Sequence, residues 1–314
     1  MVNKQAYWCR ITLLAAVIAL SGCSIEQFAV RKVADFLSSG TSDSTIYTGE
    51  EDPELLSDAL PFVLKLYESL LESDPENDKL LLATGQAFLL YSNVSVQFPA
   101  DLLGDEDFEE KLILLDRAKK LYLRARKYLF RALEIRHPVF RDYRTTEVWE
   151  PALEGTDVDD APYLYWAAVA WLAAYSVDTF DFELMVTLPR MTAMLNRVLE
   201  LDETHDEGGL HEVLVSYYGS LPAEMGGSEE KARYHFERAV TLSGGLKAGP
   251  YLALATGVSV GNQNYPEFRE LLNTVLSLDV ELEPKYRLFN IVGQRKAAWM
   301  LEHAEDFFLI MEEP

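Results

Sequence analysis

Gly257-Val-Ser259-Val-Gly261 has the spacing of a hydrolase nucleophile elbow, in which a serine on a sharp turn attacks an acyl carbon. That chemistry needs a strand before the serine and a helix after it. Here Gly249 to Val260 reads as helix and a Gly-Asn-Gln-Asn turn follows, so the motif is read as a helix end with Gly261 as its C′ residue, and a hydrolase using Ser259 is the minor alternative. Asp202-Glu-Thr-His-Asp206-Glu-Gly208 spaces its acids like a calcium loop, but Glu207 stands where the loop needs glycine and the closing glutamate is misplaced. His205 and His211 with nearby carboxylates have metal-ligand chemistry without diagnostic spacing, so this stretch is read as a solvated turn between helices. No glycine-rich phosphate loop occurs, and no catalytic residue, metal or cofactor is expected.

Polar-tipped aromatics are the stronger signal. Pro162 to Val177 contains Tyr163, Tyr165, Trp166, Trp171 and Tyr175 in a helix that is apolar all round, with Asp160 as N-cap and Pro162 in the first turn. Such a helix is either a central core element or the wall of a greasy cavity, and it is too short to span a bilayer. A second long helix is expected from Phe108 to Arg136, about 43 Å at 1.5 Å per residue. Its buried stripe is Leu114, Ala118, Leu121, Ala125, Leu129 and Ala132, and its basic face is Arg117, Lys120, Arg124, Lys127 and Arg131. That face either pairs with neighbouring acidic helices or forms a docking strip for an acidic partner.

The elements that hold these residues repeat. Sustained period-2 alternation is missing, and five helical stretches begin alike at Tyr67, Leu129, Leu195, Phe236 and Leu272. In Met225 to Gly245 the sharpest copy sets Ala232, Phe236 and Ala239 at i, i+4 and i+7 between Ser228 as N-cap and the Gly244-Gly245 stop, and Ala125, Leu129 and Ala132 reproduce it. Gly85 with Phe88, and Trp166 with Ala170, occupy the small and aromatic positions of partner helices. The last two intervals approach the tetratricopeptide period of about 34 residues, and the earlier ones require insertions. The expected fold is therefore all-α, a tetratricopeptide-like helical repeat superhelix, or α-solenoid, with insertions and a concave binding surface.

At the N-terminus Lys4 and Arg10 precede an apolar run from Ile11 to Leu20, which reads as a secretory signal. Leu20-Ser21-Gly22-Cys23 resembles a bacterial lipobox, with Cys23 acylated and Ser24, rather than aspartate, after it. The expected organisation is a signal peptide over 1–22, a lipid-anchored tether over 23–52 and a repeat domain over 53–314. Cys9 leaves with the signal, so no thiol is left for a disulfide or for nucleophilic catalysis. The net charge of −23 argues against nucleic acid as a partner.

The blocks Pro162-Tyr-Leu-Tyr-Trp-Ala-Ala-Val-Ala-Trp171, Leu188-Pro-Arg190, Gly209-Leu-His-Glu212, Ser216-Tyr-Tyr218, Met225-Gly-Gly-Ser228, Ala232-Arg-Tyr-His-Phe-Glu-Arg-Ala239, Ala248-Gly-Pro-Tyr251 and Gln294-Arg295 resemble the T component of TPR-associated TRAP transporters. The resemblance covers about residues 110 to 305. It implies a non-enzymatic periplasmic lipoprotein, held in the outer membrane by its lipid and facing the periplasm. It further implies a homotrimer that docks the solute-binding P component and helps deliver a small organic, hydrophobic ligand. Tyr163, Trp166, Trp171, Tyr217, Tyr218 and Tyr251 lie in family-like blocks and are the expected ligand- or partner-binding set. The alternative is a repeat scaffold for envelope protein assembly without a small ligand.

Overall fold

The computed structural model describes residues 45–142 and 146–309, so the signal peptide, Cys23 and the first part of the expected tether lie outside the described residues. Every regular element among those residues is helical. The chain forms α1 (Pro53–Ser73), α2 (Asp78–Ser92), α3 (Phe108–Arg136), α4 (Thr146–Glu154), α5 (Ala161–Ser176) and α6 (Leu188–Leu201). It continues with α7 (Gly209–Ser220), α8 (Glu229–Leu242), α9 (Gly249–Leu254), α10 (Tyr265–Ser277) and α11 (Arg287–Glu302). Two wider turns, Asn93–Gln97 after α2 and Ala255–Ser259 after α9, prolong those helices with i→i+5 bonding.

Local chemistry sets many of the boundaries. Asp52, Asn77, Ser228 and Asn264 each accept a backbone N–H from the first turn of the helix they precede. Gly244 and Gly245 adopt φ of 63° and 76° after α8, where the Gly245 N–H returns to the Val240 carbonyl at 2.8 Å, so the expected stop is a left-handed cap. Two expected caps differ. Gly261 stays within the helical path, and the left-handed residue of the following turn is Gln263, whose own side chain bonds the Val260 and Phe307 carbonyls. Asp160 makes no side-chain cap for α5; Asp157 opens that turn, and the Asp160 carboxylate turns inward instead.

Packing follows the order of the chain. α2 lies on α1 and α3, α3 on α5, α5 on α6, α7 on α8 and α9, and α10 on α11. Ala118, Ala125, Leu129 and Ala132 are fully buried on α3, while Leu114 and Leu121 are half-buried at its edge. A Cβ at Gly85 would collide with Leu129, so the glycine lets α2 and α3 close on each other. Ala232 and Ala239 do the same for α8. Gly219 and Gly257 bring α7 and the wide turn after α9 backbone to backbone, with a Cβ on Gly257 falling 3.0 Å from the Gly219 carbonyl carbon.

The basic face of α3 is largely answered within the fold. Lys119 reaches Asp178 and Asp181 at 2.7 and 2.5 Å, Arg124 pairs with Glu68, and Arg117 donates to the Tyr91 hydroxyl at 2.8 Å. One main core runs from Leu64 to Phe308, and a second joins Leu56 and Leu60 of α1 to Val94, Leu288 and Val292. That second cluster brings the first long helix against the last. Arg295 to Glu54 at 2.5 Å, Lys296 to Asp101 at 2.6 Å, and Arg287 to the Gly49 carbonyl at 3.2 Å reinforce it. Thr45–Thr48, in the expected tether, forms one helical turn against Pro284–Tyr286.

Candidate functional site

The aromatic set is distributed over several packing environments. Tyr163, nearly buried, donates its hydroxyl to Asp78 at 2.9 Å and lies under the Arg136 guanidinium at 4.6 Å. Trp171 is buried, gives its indole N–H to Thr187 at 3.0 Å and meets Phe130 and Trp149 edge-on. Tyr217 and Tyr218 touch ring to ring at 5.1 Å, and Tyr218 stacks on His235 at 5.6 Å with the planes 3° apart. Tyr251 meets Phe236 edge-on at 5.4 Å and keeps part of its surface open, as does Trp166. Tyr163, Trp171, Tyr217 and Tyr218 therefore act as wall-building residues with satisfied or packed tips, and Trp166 and Tyr251 are the members that solvent reaches.

Asp160 explains how the long helices are tied together. It is 1 % exposed and accepts from Arg136 Nε at 2.6 Å, His137 Nε2 at 2.7 Å and the Asp157 N–H at 3.0 Å. Burial works against its charge, but these donors outweigh burial and hold the carboxyl below the usual carboxylate range. Arg136 reaches on to Asp78 at 3.2 Å, so one network joins α2, α3 and the start of α5.

A second polar cluster lies where α5, α7, α9 and the loop after α6 meet. Asp206, Glu207 and Gly208 take three successive left-handed conformations, with φ of 54°, 48° and 93°. Two of them are non-glycine, which costs about 1–3 kcal/mol each and persists only where neighbours enforce it. The enforcing contacts are visible: Lys247 donates to the Asp206 carbonyl at 2.6 Å, Lys285 pairs with Glu207 at 2.5 Å, and the Tyr286 hydroxyl bonds Glu207. Asn290 of α11 is buried and fixes the Lys247 loop through the Ala248 N–H at 2.9 Å and the Leu246 carbonyl at 2.8 Å. Tyr165 is buried with its ring 4.9 Å from His205, and burial pushes its hydroxyl well above the usual range.

Glu212 completes this cluster and differs from every acid so far described. Its carboxylate rests over Gly249 at the start of α9, where a Cβ would collide with it. Among the described residues no donor bonds it and no cation pairs with it within 4 Å, yet part of the residue is open to solvent. Burial pushes its carboxyl up to about 7; Lys247 pulls it down and Asp206 pushes it further up.

A third group is the imidazole pair on α7 and α8. His211 and His235 are buried with their Nδ1 atoms 2.8 Å apart, so one must donate and the other accept. His211 Nε2 is buried without a hydrogen-bond partner and lies 3.7 Å from Glu203, which also pairs with Arg238 at 2.7 Å. Burial, then the positive charge of His211 and of Lys231, pushes His235 down to about 4. His205 stands apart against Tyr165, so the histidines considered for metal binding do not converge. Ser259 is buried and donates to Glu267 at 2.8 Å, inside a helical turn rather than on an elbow.

Sequence reasoning singled out neither Glu212, Lys247 nor the histidine pair as a site. Tyr165 was legible as an aromatic on an unusually apolar helix, but its partner lies in a turn read as solvated.

These polar groups sit between helical layers in every described part of the site. Residues 49–308 match the family described as TRAP transporter T-component. A protein of Treponema pallidum (strain Nichols), described only as uncharacterized, is 30% identical over 313 residues, covering 94% of this chain and 96% of the relative. The chain belongs to the TRAP transporter T-component family, a family of transporter accessories. TRAP components are envelope-associated, and no helix among the described residues is long and apolar enough to cross a membrane.

Proposed function

We propose that this chain is a non-enzymatic periplasmic lipoprotein, anchored through Cys23 to the outer membrane. In this reading it assembles as a trimer, docks the solute-binding P component of a TRAP transporter and helps deliver a small organic ligand. The family match across residues 49–308 carries the reading. Supporting it, small residues sit where a tetratricopeptide-like reading expects close helix contacts, with Gly85 against Leu129 and with Ala232 and Ala239 buried on α8. A stack of this kind binds through its surface and the grooves between its helices. Trp166 and Tyr251 keep accessible surface and contact ligand, while Tyr163, Trp171, Tyr217 and Tyr218 shape the wall behind them.

The test is affinity capture of the full-length chain from its own envelope. Recovery of a TRAP solute-binding protein in stoichiometric amount is the expected result. Recovery of envelope-assembly proteins alone would favour a scaffold that handles no ligand. Cys23→Ser is expected to release the protein from the membrane fraction, and retention would refute the anchor.

A further inference from the structure

α1 carries two apolar stripes, and the described fold uses one of them. Leu56, Leu60, Leu64, Tyr67 and Leu71 are buried against α2, the wide turn after it and α11. On the other side Leu55, Ala59, Phe62 and Leu66 follow at i, i+4, i+7 and i+11, which is one line along a helix. Leu55 is 58% exposed and Phe62 73%, Ala59 is exposed and Leu66 half-buried, so this line lies open among the described residues. A single exposed leucine is ordinary. Four apolar residues in helical register, bordered by the exposed acids Glu54, Asp58 and Glu72, form a seam on which another helix packs.

We propose that residues 25–37 form an amphipathic helix that lies antiparallel on this stripe, with Ser38 to Ser44 as its link to Thr45. In the sequence Ile25, Phe28, Ala29, Val33, Phe36 and Leu37 fall at i, i+3, i+4, i+8, i+11 and i+12, the apolar spacing of one helix face. Ile25 to Phe36 spans eleven residues, as does Leu55 to Leu66, so the two stripes match at about 16 Å.

The place where the described chain begins supplies the route. Tyr47 packs on the cluster of Leu56 and Leu60, and Arg287 holds the Gly49 carbonyl at 3.2 Å, which sets Thr45 at the N-terminal end of α1. The seven residues of the link reach about 25 Å at most, so the shortest path puts Leu37 at that same end and turns the helix antiparallel to α1. In this register Phe36 meets Leu55, Ala29 meets Phe62 and Ile25 meets Leu66. The charges agree with it. Lys32 falls beside Asp58, which pairs with nothing among the described residues, and Glu26 beside Lys65, whose ion pair is with Glu68 of its own helix. An anionic bilayer suits the stripe less, because acids border it. The packing is independent of the anchor at Cys23. Together with that anchor, it brings the acyl chains out beside Leu66, close against the body, instead of at the end of a long tether.

The test uses the mature chain, residues 23–314, with Cys23→Ser, so that no native thiol competes and the outcome does not depend on lipidation. Ala29→Cys with Ala59→Cys should be joined within one chain by a short bismaleimide, and Ala29→Cys with Glu230→Cys on α8 should not. Without these substitutions, amides of residues 25–37 should exchange about tenfold or more slowly than those of Ser38 to Ser44. Phe62→Asp alters only the open stripe and should abolish that protection while leaving exchange in α5 unchanged. Links between chains instead of within one would overturn the proposal, by showing that a second copy covers the stripe. So would fast exchange throughout residues 25–37, or protection that survives Phe62→Asp. Membrane release by Cys23→Ser tests the anchor alone, so failure of the anchor and failure of the packing are told apart.

Discussion

Asp160 and Glu212 are both interior acids at the start of a helix pair, yet the protein treats them in opposite ways. Asp160 is closed off and surrounded by donors, and its neighbours keep it charged. Glu212 is left without a donor, and burial favours its neutral form. A buried ion pair that is fully hydrogen-bonded ties elements together, whereas an unpaired acid subtracts from stability. The N-terminal network therefore serves the fold, and the C-terminal cluster holds a cost that folding alone does not explain.

Four measurements bear on that contrast. Asp160→Asn removes the charge that Arg136 and His137 answer, and chemical denaturation should show a loss of about 3–5 kcal/mol. A loss near zero would dissolve the comparison. Next in size is the response of the histidine pair to acid. His235 binds its proton less readily folded than unfolded, as does His211, because of burial. The unfolded chain thus takes up protons first, so stability is fully present above about pH 6.5 and falls toward pH 4, by up to about 1.4 kcal/mol per pH unit for each histidine. Glu203, Arg238, Lys231, Tyr218 and Tyr234 face these rings and are the other groups to hold constant. Thermal melts of His211→Gln/His235→Gln should lose most of that slope, and an unchanged slope would assign it elsewhere.

Glu212→Gln should move stability the other way from Asp160→Asn. The Glu212 carboxyl is raised in the fold, so its penalty is present above about pH 7 and vanishes as the pH falls toward the ordinary carboxylate range. Partial solvent access limits the gain to about 1 kcal/mol at pH 8. A destabilised Glu212→Gln at pH 8 would mean that the acid has a partner after all. Smallest is Lys127→Ala on the exposed basic face of α3, for which denaturation should not differ from the unmodified chain.

What was legible in the sequence was mostly local. The bounds of α3 at Phe108 and Arg136, the Ser228 cap and the glycine stop after α8 follow from periodicity and capping chemistry within one or two turns. Gly85 against Leu129 was legible too, because small and large residues recur at fixed offsets in a repeat. Asp160 was misjudged as a cap since an acid before a proline-started helix has two uses, and the choice depends on Arg136, a distant residue in the chain. Tyr165 to His205, Glu212 to Gly249 and His211 to His235 are tertiary meetings of this kind. The aromatic helix was read as either core or cavity wall, and the structure places it in the core, where Trp171 packs on Phe130 of α3 and Tyr165 on His205.

The meeting of the first and last helices changes how this chain should come apart. A linear array frays from its free ends, one unit at a time, because each unit is held only by its neighbours. Here Leu56 and Leu60 share a core with Leu288 and Val292, and Glu54 clasps Arg295, so neither α1 nor α11 offers an unguarded edge from which unzipping can start. Melting is expected to be a single cooperative event, and amides of α1 and α11 should exchange as slowly as those of α5 until the whole circuit opens.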